Sequence, residues 1–339
     1  MVKNIIDMIN MSKMNVLITG GCGFIGSNFI NFFVNKYPDY NVYNVDALYY
    51  CSSLYNIKVS DSENYKFIKG NVQSKDLMSY ILNEYKITHI IHFAAQSHVD
   101  TSFSNPNQYV LDNILGTHNL LECIKDYNIL TNNIKLMIHV STDEVYGESG
   151  LTEKSKDEMS ILCPTNPYAA TKASAELLVN SYIQSYKLPI IITRGNNVYG
   201  PHQHIEKLVP KFIQLLLNKK KCTIHGNGSS LRSFIYIDDV VTAFDMIFHK
   251  GKINQIYNIG TEHEYSVLDI TTRIVTIVND GLVDDNINFV KDRHFNDKRY
   301  FVNYEKLKDL GWEPTIGIDT GLVKSYEWIR SVDTLNYWN

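Results

Sequence analysis

The chain places Ser141-Thr142-Asp143-Glu144 shortly before Tyr168-Ala169-Ala170-Thr171-Lys172. Lys172 follows Tyr168 by four positions, so on a helix the two side chains share one face. A Tyr-x-x-x-Lys pair can move a proton while hydride passes to or from NAD. An ammonium beside a phenol favours phenolate, which predicts a lowered Tyr168 pKa and a tyrosine able to accept a hydroxyl proton. Redox chemistry alone does not require two adjacent carboxylates. Asp143 and Glu144 add an acid and a base, and they point to a second step, an elimination on the oxidised substrate. The plainer alternatives are an exposed helical pair at Tyr168 and Lys172, and two solvated loop carboxylates at Asp143 and Glu144.

Such groups need a frame that holds them against a cofactor. Residues 14–19 (M-N-V-L-I-T) read as a buried strand, 20–26 as a glycine-rich turn, and 24–34 as a helix. Gly20, Gly23 and Gly26 are spaced G-x-x-G-x-x-G, and Phe24 and Ile25 open the helix. Glycine lets a phosphate approach the backbone, and the helix start offers unpaired N–H groups and a positive dipole end. Between a strand and a helix this turn predicts dinucleotide binding; the alternative is a packing turn without ligand. Asp46 closes a second short strand over 42–45, where a carboxylate can bond a ribose 2′-hydroxyl and would repel a 2′-phosphate, favouring NAD over NADP. The alternative there is a helix-capping Asp. Asn71 and Val72 are expected to flank the adenine, and Phe93-Ala94-Ala95 brings small side chains to a strand end beside the cofactor.

Strands over 67–68, 89–94 and 136–140, with helices over 75–85 and 107–127 between them, predict a mostly parallel, doubly wound α/β sheet. After a strand over 189–193 the alternation loosens. Helices are expected over 208–217, 238–248, 266–278 and about 319–330, with a strand over 233–237. That half reads as a smaller α+β substrate-binding lobe. The expected division is 14–195 for the NAD-binding domain and 196–339 mainly for the substrate lobe, with segments crossing back because no Gly/Ser linker or repeat separates them. Residues 1–13 read as an N-terminal extension.

A chain of 339 residues with 44% hydrophobic and 20% charged residues has the composition of a soluble enzyme with a large core. Its net charge of −4 argues against nucleic acid as a partner. The five cysteines are widely spaced without a Cys-x-x-Cys pair, as expected for reduced structural thiols. No apolar run approaches the ~20 residues that cross a bilayer, and 1–13 lack the features of a signal peptide. A cytoplasmic protein without membrane contact is expected. His98, His202, His204 and His225 lack ligand spacing, and no metal is predicted.

Longer motifs carry a resemblance. They are His92-Phe93-Ala94-Ala95-Gln96-Ser97-His98-Val99-Asp100, Ser141-Thr142-Asp143-Glu144-Val145-Tyr146-Gly147, Pro164-Thr165-Asn166-Pro167-Tyr168, Arg194-Gly195-Asn196-Asn197-Val198-Tyr199-Gly200-Pro201 and Glu206-Lys207-Leu208-Val209-Pro210. Over nearly its whole length the chain resembles the extended short-chain dehydrogenase/reductase family, and within it the nucleoside-diphosphate-glucose 4,6-dehydratases. Sugar epimerases of that family usually carry small residues where this chain has Asp143 and Glu144.

The resemblance implies a Rossmann-type NAD domain, tightly held NAD, a homodimer formed through paired helices, and conversion of an NDP-glucose to its 4-keto-6-deoxy product. It assigns Tyr168 and Lys172 to oxidation at C4 with Thr142 bonded to the 4-hydroxyl, Glu144 as base at C5, and Asp143 as acid for the departing C6 hydroxyl. It makes Asn197, Lys207 and Arg232 candidates for the diphosphate. Glu206 would contact the nucleotide or orient Lys207, and Asn296 and Arg299 lie nearer the nucleotide. Asn71, Asn296 and His204-Ile205 depart from common bacterial members and bear on base preference. The motifs around Gly195-Asn196 and Asn296-Asp297 look more like UDP-glucose dehydratases of rhamnose synthesis, while Gly200-Pro201-His202-Gln203 also resembles the animal-type dTDP-glucose enzymes. An epimerase, or a non-catalytic NAD-sensing protein, are the competing readings.

Overall fold

The computed structural model describes residues 14–279, 283–292, 297–333 and 337–338. The expectations for 1–13 and Asn296 lie outside these residues.

Strands β1 (Asn15–Thr19), β2 (Asn41–Asp46), β3 (Tyr65–Lys69), β4 (His89–His92), β5 (Leu136–Thr142) and β6 (Ile190–Gly195) come from the first half. The second half adds β7 (Asn197–Tyr199), β8 (Cys222–His225), β9 (Leu231–Tyr236), β10 (Ile256–Ile259), β11 (Glu264–Ser266), β12 (Ile287–Val290) and β13 (Arg299–Tyr300). Seven strands form one sheet in the order β10-β6-β5-β4-β1-β2-β3, and every pair in it is parallel. This is the doubly wound, Rossmann-type sheet that the alternation predicts. The strand order reverses between β1 and β4, so the helices leave on opposite faces there and open a crevice beyond the strand ends.

Side chains alternate across the sheet, as the strand pleat requires. Val16, Ile18, Ile91, Ile138 and Ile191 enter one core. Leu17, Ile90, Met137, Ile190 and Ile192 enter the other. The first core runs on into the second half through Phe212, Phe244, Tyr257 and Leu322. The chain also returns from that half to lay β10 beside β6. Around β9 a small mixed sheet gathers β7, β11 and β13, and β12 pairs with β8.

Most predicted helices differ from the observed ones by a residue or two at their ends: Phe24–Lys36, Lys75–Glu84, Leu208–Leu217, Ile237–Lys250, Val267–Asn279 and Ile318–Ser331. The helix expected over 107–127 is the exception. It begins as Pro106–Tyr109, widens into a π-type turn at Val110–Leu115, and resumes as Gly116–Thr131. The widened turn aims two polar side chains inward. Asn113 bonds both backbone groups of Gln96 and the Thr171 hydroxyl. Asp112 accepts from the amides of Gln73, Gln96 and Gln108. Wide turns of this kind recur at functional sites, where side chains replace ladder bonds. Among the described residues no helix is long and apolar enough to cross a membrane, and no group of three or more His, Cys, Asp or Glu side chains could hold a metal. All five cysteines are free thiols.

Candidate active site

The glycine turn closes β1 against the start of the Phe24–Lys36 helix. Gly20 has φ +71°, and a Cβ there would come within 2.6 Å of the Ala94 backbone. A Cβ on Gly26 would lie 2.5 Å from the Gly20 carbonyl. The turn is therefore packed as tightly as backbone allows, and its open side forms the floor of a cavity of about 230 Å³. Gly20, Gly23, Phe24, Ile25 and Gly26 lie on its wall, as do Asp46, Asn71 and Val72 at one end and Phe93, Ala94, Ala95, Tyr168 and Lys172 at the other. Asp46 sits at the tip of β2. Its carboxylate accepts from Cys22 N at 2.9 Å, Leu48 N at 2.7 Å and Ser52 Oγ at 3.1 Å. Burial raises its pKa, and those donors oppose the rise. Asn71 donates to Tyr49 Oη at 2.9 Å. A glycine floor under a helix N-terminus, with a carboxylate at the second strand tip, fits a dinucleotide: pyrophosphate over the glycines and a ribose beside Asp46.

A second cavity of about 510 Å³ adjoins the first and shares Phe24, Ile25, Val140, Ser141, Tyr168, Glu206 and Lys207 with it. Thr142 and Glu144 line the second cavity, with Asn197, Arg232 and the shared Lys207 and Glu206 farther along. The Lys207 ammonium donates to the Ser97 carbonyl at 2.8 Å, and Glu206 accepts from Tyr50 Oη at 3.1 Å. Arg232 donates to the carbonyls of Leu231 and Asp297 and lies over the Tyr300 ring.

Arg299 takes a different place from the one expected. Its guanidinium pairs with Glu264 through two nitrogens, at 2.7 and 2.6 Å, and donates to the carbonyls of Gly150, Leu151 and Glu153. It lines neither cavity. All its donors tie the 150–153 loop to β11, so in this structure it braces that loop and faces neither cavity.

β5 runs to Thr142, and a 3₁₀ turn over Asp143–Tyr146 follows directly. The Thr142 hydroxyl accepts the Glu144 N–H at 3.3 Å and so starts that turn. Across the crevice, Pro167 opens a twenty-residue helix capped by Asn166, whose side-chain oxygen accepts from Ala169 N. Tyr168 and Lys172 lie on the first turns of this helix, against the end of β5. The Lys172 ammonium donates to the Val140 carbonyl at 2.7 Å. Behind it, Arg194 and Glu176 form a buried ion pair at 2.6 Å, and Arg194 also donates to Tyr146 Oη.

Enclosure dominates the electrostatics. Burial lowers Lys172 to about 8, against the pull of Glu176. Asp143, only 3% exposed, is raised to about 6 by burial. Glu144 rises to about 7 through burial and then repulsion by Asp143, with Asn166, Lys207 and Arg232 opposing. Tyr168 moves upward, against the expectation of a lowered phenol. Burial and the Glu144 charge push it up, and the bond to Thr142 only partly offsets them. The Lys172 ammonium donates to the Val140 carbonyl and is not among the groups that shift the phenol. Asp143 also departs from a simple reading. It stands behind the cavity wall, with Oδ1 3.2 Å from the Thr142 hydroxyl and Oδ2 2.8 Å from the Asn196 amide nitrogen. Asn166 and Asn196 were not singled out from the sequence as site residues. Both lie in quoted motifs, but only the fold shows that their amides meet the two carboxylates.

Comparison with known proteins adds a lineage to this geometry. The family model described as GDP-mannose 4,6 dehydratase matches residues 17–325. A trifunctional UDP-glucose 4,6-dehydratase/UDP-4-keto-6-deoxy-D-glucose 3,5-epimerase/UDP-4-keto-L-rhamnose-reductase of Arabidopsis thaliana is 49% identical over 323 residues, 95% of this chain and 48% of that protein. The chain thus spans about half the length of this plant relative. A dTDP-D-glucose 4,6-dehydratase of Dictyostelium discoideum is 44% identical over 95% of this chain and 82% of its own. The crystal structure of a dTDP-glucose 4,6-dehydratase from Streptomyces venezuelae with NAD and TYD bound superposes with a TM-score of 0.88 at 33% identity, covering 94% of this chain and 97% of that one.

Proposed function

The chain belongs to the GDP-mannose 4,6 dehydratase family, and we propose that it is an NAD-dependent nucleoside-diphosphate-glucose 4,6-dehydratase acting on UDP-glucose. One observation carries the reading: two adjacent carboxylates are enclosed at the end of β5, Glu144 on the wall of the larger cavity that Tyr168 also lines and Asp143 buried directly behind that wall. An epimerase on the same frame needs no such pair. The cofactor lies in the smaller cavity and the nucleotide sugar in the larger, with Asn197, Lys207 and Arg232 toward the diphosphate.

Tyr168 Oη takes the proton of the sugar 4-hydroxyl, which Thr142 orients, and Lys172 supplies positive charge beside the ribose end. NAD, held by the glycine turn and Asp46, would supply the hydride acceptor for C4 and the hydride donor for C6. With a carbonyl at C4, the C5 hydrogen is acidic because the resulting carbanion is an enolate. Glu144 removes that proton, and Asp143 provides the proton with which the C6 oxygen departs as water. Glu144 then restores a proton to C5. Acid and base of one kind must hold different protonation states. Burial raises Asp143 to about 6 and Glu144 to about 7, an order that favours the proton on Glu144 before substrate binds, so the bound sugar has to reverse it.

The UDP assignment is supported by the plant relatives, whose names include UDP-glucose 4,6-dehydratase. The second reading, dTDP-glucose, is supported by the relatives from Dictyostelium discoideum and Homo sapiens. The two nucleotides differ in the thymine methyl and the ribose 2′-hydroxyl. A methyl in an apolar pocket is worth only ~1–3 kcal/mol, so preference rather than exclusion is expected. Side-by-side turnover decides it: kcat/KM higher for UDP-glucose upholds the assignment, and the reverse order replaces it with dTDP-glucose.

A homodimer is part of this proposal. Phe103, Val110, Leu111, Leu115 and Leu177 are exposed on neighbouring helical segments. Pairing those helices with a second copy would cover them.

A further inference from the structure

Each of the two carboxylates meets one asparagine, and in both cases the orientation of the amide is fixed from behind. Asn196 stands one residue past β6, whose Gly195 is in register with Thr142. Its Oδ1 accepts the Thr261 backbone N–H at 3.1 Å. A Cβ on Gly260 would come within 2.5 Å of that oxygen, so glycine there makes room for the amide. With the oxygen committed to a backbone donor, the nitrogen must face Asp143 Oδ2, 2.8 Å away. Asn166 repeats the arrangement. Its Oδ1 accepts from Ala169 N at 2.8 Å as the helix cap, and its nitrogen donates to Glu144 Oε2 at 2.9 Å. Neither amide nitrogen can accept a proton, so each holds the carboxylate oxygen it faces as an acceptor. The other oxygens are Asp143 Oδ1, which accepts from the Thr142 hydroxyl at 3.2 Å and can donate back to that rotatable hydroxyl once protonated, and Glu144 Oε1, to which no protein group among the described residues is bonded.

We propose that Asn166 and Asn196 are paired positioning residues, each holding one oxygen of a catalytic carboxylate as an acceptor so that Glu144 takes the C5 proton on Oε1 and Asp143 releases its proton from Oδ1 on the Thr142 side. The inference rests on the dehydratase reading above. In the elimination the C5–H bond breaks, its proton goes to Glu144 Oε1, and its electron pair enters the C4–C5 bond as the enolate. That pair then forms the C5–C6 double bond as the C6–O bond breaks. The proton from Asp143 Oδ1 leaves with the oxygen as water. The carboxylate pair holds one proton before and one after, moved from Asp143 to Glu144. Both donors favour the ionised carboxylate. Asn166 therefore keeps the base available, and Asn196 stabilises the acid once it has given up its proton.

Asn166→Ser keeps an oxygen to cap the helix but is too short to reach Glu144. Asn196→Leu removes the donor to Asp143, and Asn196→Ser replaces it if the leucine variant does not fold by thermal denaturation. With UDP-glucose in deuterated buffer, three rates are read in single turnover: NADH absorbance for C4 oxidation, deuterium at C5, and loss of water by product mass. Loss of a hydrogen bond to a charged group predicts about a tenfold effect. Asn166→Ser slows C5 exchange by that factor and moves its pH midpoint upward. Asn196→Leu leaves C5 exchange intact and slows water loss. In both, C4 oxidation keeps its rate and NADH accumulates. C4 oxidation slowed as much as the later steps, or later steps and pH midpoints at wild-type values, would overturn the inference. If the wild-type protein itself forms no product lighter by one water, the dehydratase reading falls instead.

Discussion

At the scale of single residues, the site is a balance between enclosure and a few directed donors. Tyr168 is the sharpest case. Its phenol is pushed up by burial and by Glu144, and the bond to Thr142 opposes them. Tyr168→Phe removes only the oxygen that accepts the 4-hydroxyl proton. The variant is expected to fold and bind NAD while NADH formation from bound sugar falls at least about a hundredfold. A near wild-type rate of NADH absorbance would exclude the role. Glu144 supplies a second test, on stability. Its folded pKa of about 7 exceeds the ordinary 4.5, so the folded state binds more protons than the unfolded one between those values. Stability then falls as pH rises through that window, and the loss is complete above it. Because Glu144 keeps part of its surface toward the cavity, we place the cost at about 1–2 kcal/mol, below the full shift. Glu144→Gln is therefore expected to unfold a few degrees above wild type at pH 8 and together with it near pH 4. Equal melting temperatures at both pH values would contradict the raised pKa.

At the scale of elements, the site is an assembly of strand ends. β1 brings the glycine turn, β2 Asp46, β5 Thr142, and β6 the residue that meets Asp143. The NAD preference belongs to this level, since it depends on Asp46 standing at the tip of β2 beside the glycine floor. NAD is expected to bind more tightly than NADP, and Asp46→Asn to narrow that gap by removing the charge that repels a 2′-phosphate. Equal affinity of the wild-type chain for both cofactors in a fluorescence titration would remove Asp46 from that role. Much of this was legible in the sequence. The glycine spacing after an apolar run, the tyrosine–lysine spacing and the paired carboxylates are local patterns, and each specifies an element boundary and a chemistry together. What was not legible depends on distant contacts. The helix over 107–127 looked continuous because its apolar spacing is continuous. Its widened turn arises from Asn113 and Asp112 reaching Gln96 on another segment. Arg299 looked like a nucleotide ligand because a lone arginine in a motif carries no sign of its partner. Glu264, far along the chain, claims it. The lowered phenol pKa failed for a related reason: four-residue spacing puts Lys172 on the face of Tyr168 but does not say which acceptor the ammonium finds.

At the scale of the whole molecule, one core continues from the large sheet into the second half, and β10 returns to the sheet edge. The wall between the two cavities is thus held by elements from both halves, with the catalytic residues at their junction. The exposed apolar side chains on the helices around Val110–Leu115 and Leu177 are the face on which the proposed second copy would pack. Leu111→Asp with Leu177→Lys is expected to convert a dimer to a monomer in sedimentation velocity, and a monomeric wild-type chain would refute that face as an interface. The fate of the C6 oxygen and the C5 hydrogen separates a dehydratase from an epimerase. The protein is incubated with UDP-glucose in deuterated water, and the product is examined by mass spectrometry and proton NMR. The proposal predicts a 4-keto-6-deoxy product that has lost one water and carries deuterium at C5, with no net NADH released. A product of unchanged mass, inverted at C4 and with hydrogen retained at C5, would contradict it and make the chain an epimerase.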